Sequence, residues 1–181
     1  MTQHAHYFAY GSNMDVAQMQ VRCPGAEVVG IGVLADHMLC FPRHSISRDC
    51  GVASVTPRPG WKTLGVVYRL SADNIARLDA YEDFVAGRAA ELNSYNRVEI
   101  EVFVNGRPSL AQIYIAVAQD GAFRPNAAYL RHLLDGASMH RLPADYVAQL
   151  HGWSQSSMLP LGDGEPQDGT KFGRPSSTSR A

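Results

Sequence analysis

The stretch Val98-Glu99-Ile100-Glu101-Val102-Phe103-Val104-Asn105-Gly106 decides how this chain folds. Val98, Ile100, Val102 and Val104 fall on one face of a strand and Glu99, Glu101 and Phe103 on the other, because successive side chains of a strand point to opposite sides. Asn105-Gly106 is the pair that favours a tight hairpin turn, and the apolar run from Leu110 to Val117 reads as the returning strand. Pro108 has no backbone N–H and is expected to displace the pairing beside the turn.

Working outward, short apolar runs read as further strands at Tyr7 to Tyr10, Val28 to Leu34, Met38 to Phe41, Val52 to Val55 and Leu64 to Leu70. Helices lie between and after them. One runs from Asp15 to about Val21. Ser71 is placed to cap another reaching about Glu82, with Ile75 and Leu78 on its apolar stripe. Tyr129, Leu133 and Leu134 mark a helix that Gly136 is expected to stop, and Leu142-Pro143 opens one with Tyr146, Val147 and Leu150 inward. Many short strands with a few helices, and no regular βαβ alternation, predict an α+β domain built on a curled mixed sheet or small barrel.

The 181 residues are 45% hydrophobic and 18% charged, enough apolar material for one sizeable core. Residues 1–153 are assigned to that domain. Residues 154–181 turn to Gly, Pro and Ser and are expected to form a flexible tail, having little to bury against the entropy of ordering. Lys and Arg number 16 against 17 Asp and Glu, a net charge of −1, which lacks the electrostatic footprint of a nucleic-acid binder. No apolar run approaches the length of a membrane span, so a cytoplasmic protein without membrane partners is expected. Cys23, Cys40 and Cys50 form neither a disulfide framework nor a C-x-x-C pair.

Two places could carry chemistry. In Tyr10-Gly11-Ser12-Asn13-Met14, Gly11 can adopt a positive φ while Ser12 and Asn13 favour tight turns, so that their N–H groups could converge on an anion or oxyanion. The same residues could equally make an ordinary strand-to-helix turn capped by Asn13 or Asp15. The 75, 78, 82 spacing puts Glu82 on the apolar helical face, where burial would raise its pKa and suit it to proton exchange near neutrality. The alternative is a helix ending at Tyr81, with Glu82 facing water or paired with Arg77 or Arg88. Glu91, Glu99 and Glu101 are rival acids. The seven histidines show no metal-binding spacing, so no metal site is assigned. A cysteine nucleophile near His37 or His44 is a third kind of site.

With those residues in hand, the sequence resembles the γ-glutamylcyclotransferase superfamily, which includes AIG2-like proteins and γ-glutamylamine cyclotransferases. Tyr7-Phe8-Ala9-Tyr10-Gly11-Ser12-Asn13-Met14 is similar to its strand and substrate-binding loop, and Leu78-Asp79-Ala80-Tyr81-Glu82 to its L-D-x-x-E element. Gly51-Val52-Ala53-Ser54-Val55, Gly65-Val66-Val67-Tyr68, Tyr95, Tyr129, Gly136-Ala137 and Leu142-Pro143 followed by Asp145 and Tyr146 continue the likeness over roughly residues 6 to 153. Asp83 stands where the family often has Gly, and the segment from Phe84 to Asn93 is longer than in the animal enzyme of the glutathione cycle.

The resemblance implies a mixed barrel-like sheet with flanking helices and an enzyme that cyclises a γ-glutamyl amide to 5-oxoproline, releasing an amine or amino acid. It assigns Glu82 as the catalytic acid/base and Tyr10, Gly11, Ser12, Asn13, Met14 and Tyr95 as substrate-binding residues. It calls for no cofactor and for a small-molecule γ-glutamyl partner, and a homodimer is compatible with it. The competing functions are a non-catalytic ligand-binding or assembly module on the same fold and a thiol amidase.

Overall fold

The computed structural model describes residues 4–155. In chain order these form β1 (His4–Ala9), a 3-10 turn (Ser12–Met14), α1 (Val16–Arg22), β2 (Glu27–Ser45), β3 (Cys50–Ser71), α2 (Ala72–Tyr81), a second 3-10 turn (Ala90–Leu92), β4 (Tyr95–Val104), β5 (Arg107–Ala116), α3 (Ala127–Met139) and α4 (Ala144–Gln155). The strands close into a barrel in the order β1-β3-β2-β4-β5. All pairings are antiparallel except the seam between β1 and β5, which is parallel and joins Tyr7 to Gln112. The expected α+β class and barrel-like sheet are therefore present.

The hairpin of β4 and β5 turns at Asn105 (φ 51°) and Gly106 (φ 77°), the positive pair that a two-residue loop of this hand requires. Pro108 does not displace the pairing. The register runs without a break through Val104–Arg107, Phe103–Pro108 and Val102–Ser109. Arg107 makes the turn-closing pair, so the next residue falls at a non-hydrogen-bonded pair, where β4 asks nothing of its N–H.

Two pairs of expected strands are in fact single long ones. β2 absorbs both Val28–Leu34 and Met38–Phe41, and β3 both Val52–Val55 and Leu64–Leu70. The apparent breaks are bulges. Between the pairs Ala35–Lys62 and His37–Pro57, residues 58–61 of β3 stand opposite Asp36 alone. Asp36 takes φ 54° and its Oδ1 accepts the Gly60 N–H at 2.8 Å, which stitches the excursion to the neighbouring strand.

One core fills the barrel and the space under the helices, with Phe8, Val66, Val67 and Ile113 joined to Leu78, Leu133 and Leu150. α3 runs through Gly136 and stops only at Met139. Gly136 is there for contact: a Cβ on it would lie 2.6 Å from the carbonyl carbon of Met14 and 2.8 Å from the Asp15 nitrogen. The stop comes from Arg141 at φ 55°, with Leu142 N–H donating to Ala137 O and Arg141 N–H to Ser138 O, the two bonds of a Schellman motif. α4 continues past Trp153, whose ring packs edge-on to Phe41 at 4.8 Å, and includes Ser154 and Gln155. The rest of the expected tail, residues 156–181, lies outside the described residues. Among the described residues no helix is long and apolar enough to cross a membrane.

Candidate active site

β1 delivers the chain to the site. After Ala9 the backbone passes Tyr10 and Gly11 and closes a tight turn in which Met14 N–H donates to Gly11 O at 3.0 Å and Asp15 N–H to Ser12 O at 3.1 Å. Gly11 does not use a positive φ, as its torsions are −111° and −143°. Its lack of a side chain matters for a different reason. A Cβ would stand 3.1 Å from Ala53 Cβ and 3.5 Å from the Tyr129 hydroxyl, so the loop lies flush against β3 and α3. Among the described residues, the turn and loop backbone bonds engage none of the Gly11, Ser12 and Asn13 N–H groups. Asp15 caps α1 by accepting from Ala17 and Gln18 N–H, and α3 grips the loop through His132 Nδ1 on Asp15 Oδ2 at 2.7 Å and His140 Nε2 with Met14 O at 3.1 Å.

α2 delivers the acid. Its start is capped by Ser71 Oγ, which accepts from Asn74 N–H, and its buried face carries Ile75 and Leu78. The helix ends at Tyr81, and Glu82 is the residue that follows. Phe84 N–H donates to Asp79 O at 2.8 Å and Asp83 N–H to Ala80 O at 3.4 Å, a second Schellman motif whose left-handed residue is Asp83 at φ 49°. That position is where glycine is the default, and here Asp83 takes the left-handed conformation in its place. Its carboxylate is held by Arg88 Nη2 at 3.0 Å and by the Ser94 hydroxyl at 2.8 Å, and these bonds lower its pKa.

The Glu82 side chain points inward and is 13% exposed. Its Oε1 accepts from Asn13 Nδ2 at 3.2 Å and from Arg22 Nη1 at 3.2 Å. Burial pushes its pKa above the ordinary carboxylate value, while the charge of Arg22, the Asn13 bond and the charge of Arg48 pull the other way without cancelling it. The cation that pairs with Glu82 is thus Arg22, not Arg77 or Arg88. Arg77 instead caps carbonyls of α1, at Arg22 O and Val21 O.

Asn13 is the hub. Its Nδ2 donates to Tyr7 Oη at 2.8 Å and to Glu82, and its Oδ1 accepts from Gln18 Nε2 at 3.0 Å and Arg22 Nη1 at 2.9 Å. All the hydrogen-bonding capacity of its side-chain amide is used, so the amide can face only one way. Gln18 extends the network: Nε2 also donates to Ser12 Oγ at 2.9 Å, and Oε1 accepts from Arg48 Nη2 at 2.7 Å.

These groups open on a cavity of about 550 Å³, walled by Tyr7, Tyr10, Tyr95, Tyr114 and Tyr129 and rimmed by the segment 43–48, Asp83 and Ser94. Of the residues singled out from the sequence, Tyr10, Gly11, Ser12, Asn13, Glu82 and Tyr95 line it. Met14 does not. It is fully buried in the core, with its backbone against Gly136. Tyr10 and Tyr95 act as walls, since their hydroxyls donate to Tyr114 O and to Ala53 O. None of Cys23, Cys40 and Cys50 is among the lining residues, and burial pushes the thiols of Cys23 and Cys40 up to about 11. Glu91, Glu99 and Glu101 are likewise outside the lining.

Sequence reasoning missed Arg22, Gln18, Arg48 and the cavity-facing role of Tyr7 and Tyr129. One signal was available. Gln18 and Arg22 are four apart on α1, one face of a short helix that begins three residues after Asn13.

The AIG2-like family model matches residues 62–150. The γ-glutamylcyclotransferase of Mus musculus is 30% identical over 149 residues, spanning 80% of this chain and 76% of that one, and the Homo sapiens protein of the same name is 28% identical over the same span. A solved γ-glutamyl cyclotransferase structure superposes with a TM-score of 0.75 at 23% identity, covering 92% of this chain and 95% of that one.

Proposed function

The chain belongs to the AIG2-like and γ-glutamylcyclotransferase superfamily, and on that premise we propose that it cyclises a γ-glutamyl amide to 5-oxoproline with release of the amine. The observation that carries the reading is the state of Glu82: a nearly buried carboxyl with one oxygen bound by Asn13 and Arg22, and its Oε2 without a protein partner among the described residues, in a cavity beside the Gly11–Asn13 turn.

In the reaction the substrate's own α-amine attacks the γ-carbonyl carbon. The new C–N bond closes a five-membered lactam and the bond to the leaving nitrogen breaks. Orientation is the main demand, and for favourable intramolecular attack it is worth about 7–11 kcal/mol. The α-ammonium carries three protons, the lactam keeps one, and the other two must reach the leaving nitrogen. A carboxyl that takes and gives protons in turn balances that exchange, and Glu82 Oε2 is the oxygen free to do it. Holding Oε1 with two donors keeps the reactive oxygen aimed. The N–H groups of Gly11, Ser12 and Asn13 are suited to the substrate's α-carboxylate or to the charge on the γ-oxygen.

The test is turnover of a γ-glutamyl compound in ¹⁸O-enriched water with mass analysis of the acyl product. Unlabelled 5-oxoproline is expected, because no solvent atom enters a lactam formed this way. An acetylated α-amine should make the substrate inert, and Glu82→Gln should lower turnover by at least ~10²-fold in a folded protein. Labelled glutamate as the first product, or cleavage of the acetylated compound, would refute the assignment.

A further inference from the structure

We propose that Arg48 selects substrates whose leaving group carries a carboxylate, an inference that rests on the cyclotransferase reading and deepens it. Three arginines line the cavity, and they are not equivalent. Arg22 is paired with Glu82. Arg43 is a clamp: it donates to Val117 O and to Ser94 Oγ, both at 3.1 Å, and Ser94 Oγ in turn donates to Asp83 Oδ2, so a carboxylate already stands near its charge.

Arg48 has no carboxylate partner among the described residues. Among the described residues its guanidinium makes one hydrogen bond, from Nη2 to Gln18 Oε1, which holds one edge of the group, and its central carbon lies 5.0 Å over the ring of Tyr129. Gln18 is itself immobilised by Ser12 and Asn13. A planar cation stacked on an aromatic ring and anchored at one corner is already oriented, and the rest of its N–H fork remains for a ligand.

Its place along the cavity decides which carboxylate it meets. The γ-glutamyl end must lie by Glu82 and the Gly11–Asn13 turn, among the buried tyrosines. The leaving group therefore extends to the open side, which is marked by Ile46 at 92% exposure. Arg48 is carried by that rim segment, two residues from Ile46, and its guanidinium reaches from there to Gln18 and Tyr129. A γ-glutamyl group on a simple amine is a zwitterion with no net charge, whereas on an amino acid it gains one negative charge, which Arg48 is placed to meet.

The experiment compares γ-glutamylglycine with γ-glutamylglycinamide, which differ only in the terminal carboxylate, by kcat/KM for 5-oxoproline release and by calorimetric binding to the Glu82→Gln protein at low salt. The acid should be preferred about 10- to 100-fold, the worth of a charge-assisted contact. Arg48→Met should bring the two compounds to within a few-fold, and Arg48→Lys, which keeps charge without the fork, should retain part of the preference. Equal handling of the two compounds by the wild-type protein overturns the proposal. So does a full preference surviving in Arg48→Met, or in Arg48→Lys should the methionine variant not fold. If neither compound yields 5-oxoproline it is the cyclotransferase reading that fails, and the binding comparison still decides Arg48.

Discussion

Replacing Gly136 by alanine sets two effects of opposite sign against each other. In a helix interior the change ordinarily gains about 1 kcal/mol, because alanine loses less backbone freedom on folding. Here the new Cβ would stand 2.6 Å from both C and Cβ of Met14 and 2.8 Å from Asp15 N, against normal separations of about 3.5–4.0 Å. The shortfall is close to 1 Å, and none of the three atoms is the movable end of a long side chain. Either α3 or the 11–15 loop must shift. Overpacking of this kind costs about 1–3 kcal/mol, and contact with main chain puts it at the upper end, so a net loss near 2 kcal/mol is expected. At about 2–4 °C per kcal/mol for a domain of this size, Tm should fall by about 4–8 °C. Gly152 in α4 is the control, since a Cβ there meets nothing within 4 Å, and Gly152→Ala should raise Tm by a few degrees. The loop that Gly136 touches also carries Asn13, and misplacing a site by about 1 Å can cost ~10²-fold in rate, so Gly136→Ala should lose activity beyond its loss of stability. Scanning calorimetry and 5-oxoproline release on both variants decide the matter. A rise in Tm for Gly136→Ala that matches Gly152→Ala, with turnover intact, would show that the close approach imposes no constraint.

Arg22→Met removes the nearest charge that opposes the burial-driven rise in the Glu82 pKa, so that pKa should rise further and the acidic limb of the kcat/KM profile should move to higher pH, with a smaller shift for Arg22→Lys; a limb that stays in place would detach Arg22 from the acid. Asp83→Gly and Asp83→Ala both lose the carboxylate's bonds to Arg88 and Ser94, but only glycine relieves the left-handed backbone, so urea unfolding should find Asp83→Gly about 1 kcal/mol more stable than Asp83→Ala. Equal stabilities would mean that φ 49° carries no cost at this helix end.

What the sequence made legible follows from the range of each signal. The β4–β5 hairpin was readable because its period of two and its Asn-Gly turn are local. The misreading of Pro108 came from not knowing which pairs are hydrogen-bonded, a phase that the register sets. Asp36, Pro57 and Gly60 look like breakers, yet β2 and β3 pass through them, because a bulge lets a strand carry turn residues without ending. The stop of α3 was sought at Gly136, whereas Arg141 holds the left-handed position there and Gly136 serves packing; after α2 the left-handed position falls to Asp83. Glu82 could be placed on the inner face by counting along α2. Its partners could not, because Asn13 and Arg22 lie 69 and 60 residues away and only the closure of the fold brings them to its oxygen.

The same contacts that position Glu82 also bear on stability. A carboxyl whose folded pKa is raised above its unfolded value contributes stability that is complete below the unfolded pKa and is lost as pH rises through the folded one. Near neutrality the ionised form is therefore a burden on the fold. Arg22 and Asn13 lighten it, and they do so on Oε1 alone, while Asn13 is pinned by Tyr7 and Gln18 as well as by Arg22. A donor on Oε2 would ease the burden further, and it would also lower the pKa and occupy the oxygen that the proposed reaction needs for proton exchange. With Oε2 unbound among the described residues, the proposed proton exchange and the stability of the fold pull in opposite directions. The surrounding bonds from α1, β1 and α3 to the 11–15 loop tie the geometry of that one oxygen to the closure of the barrel.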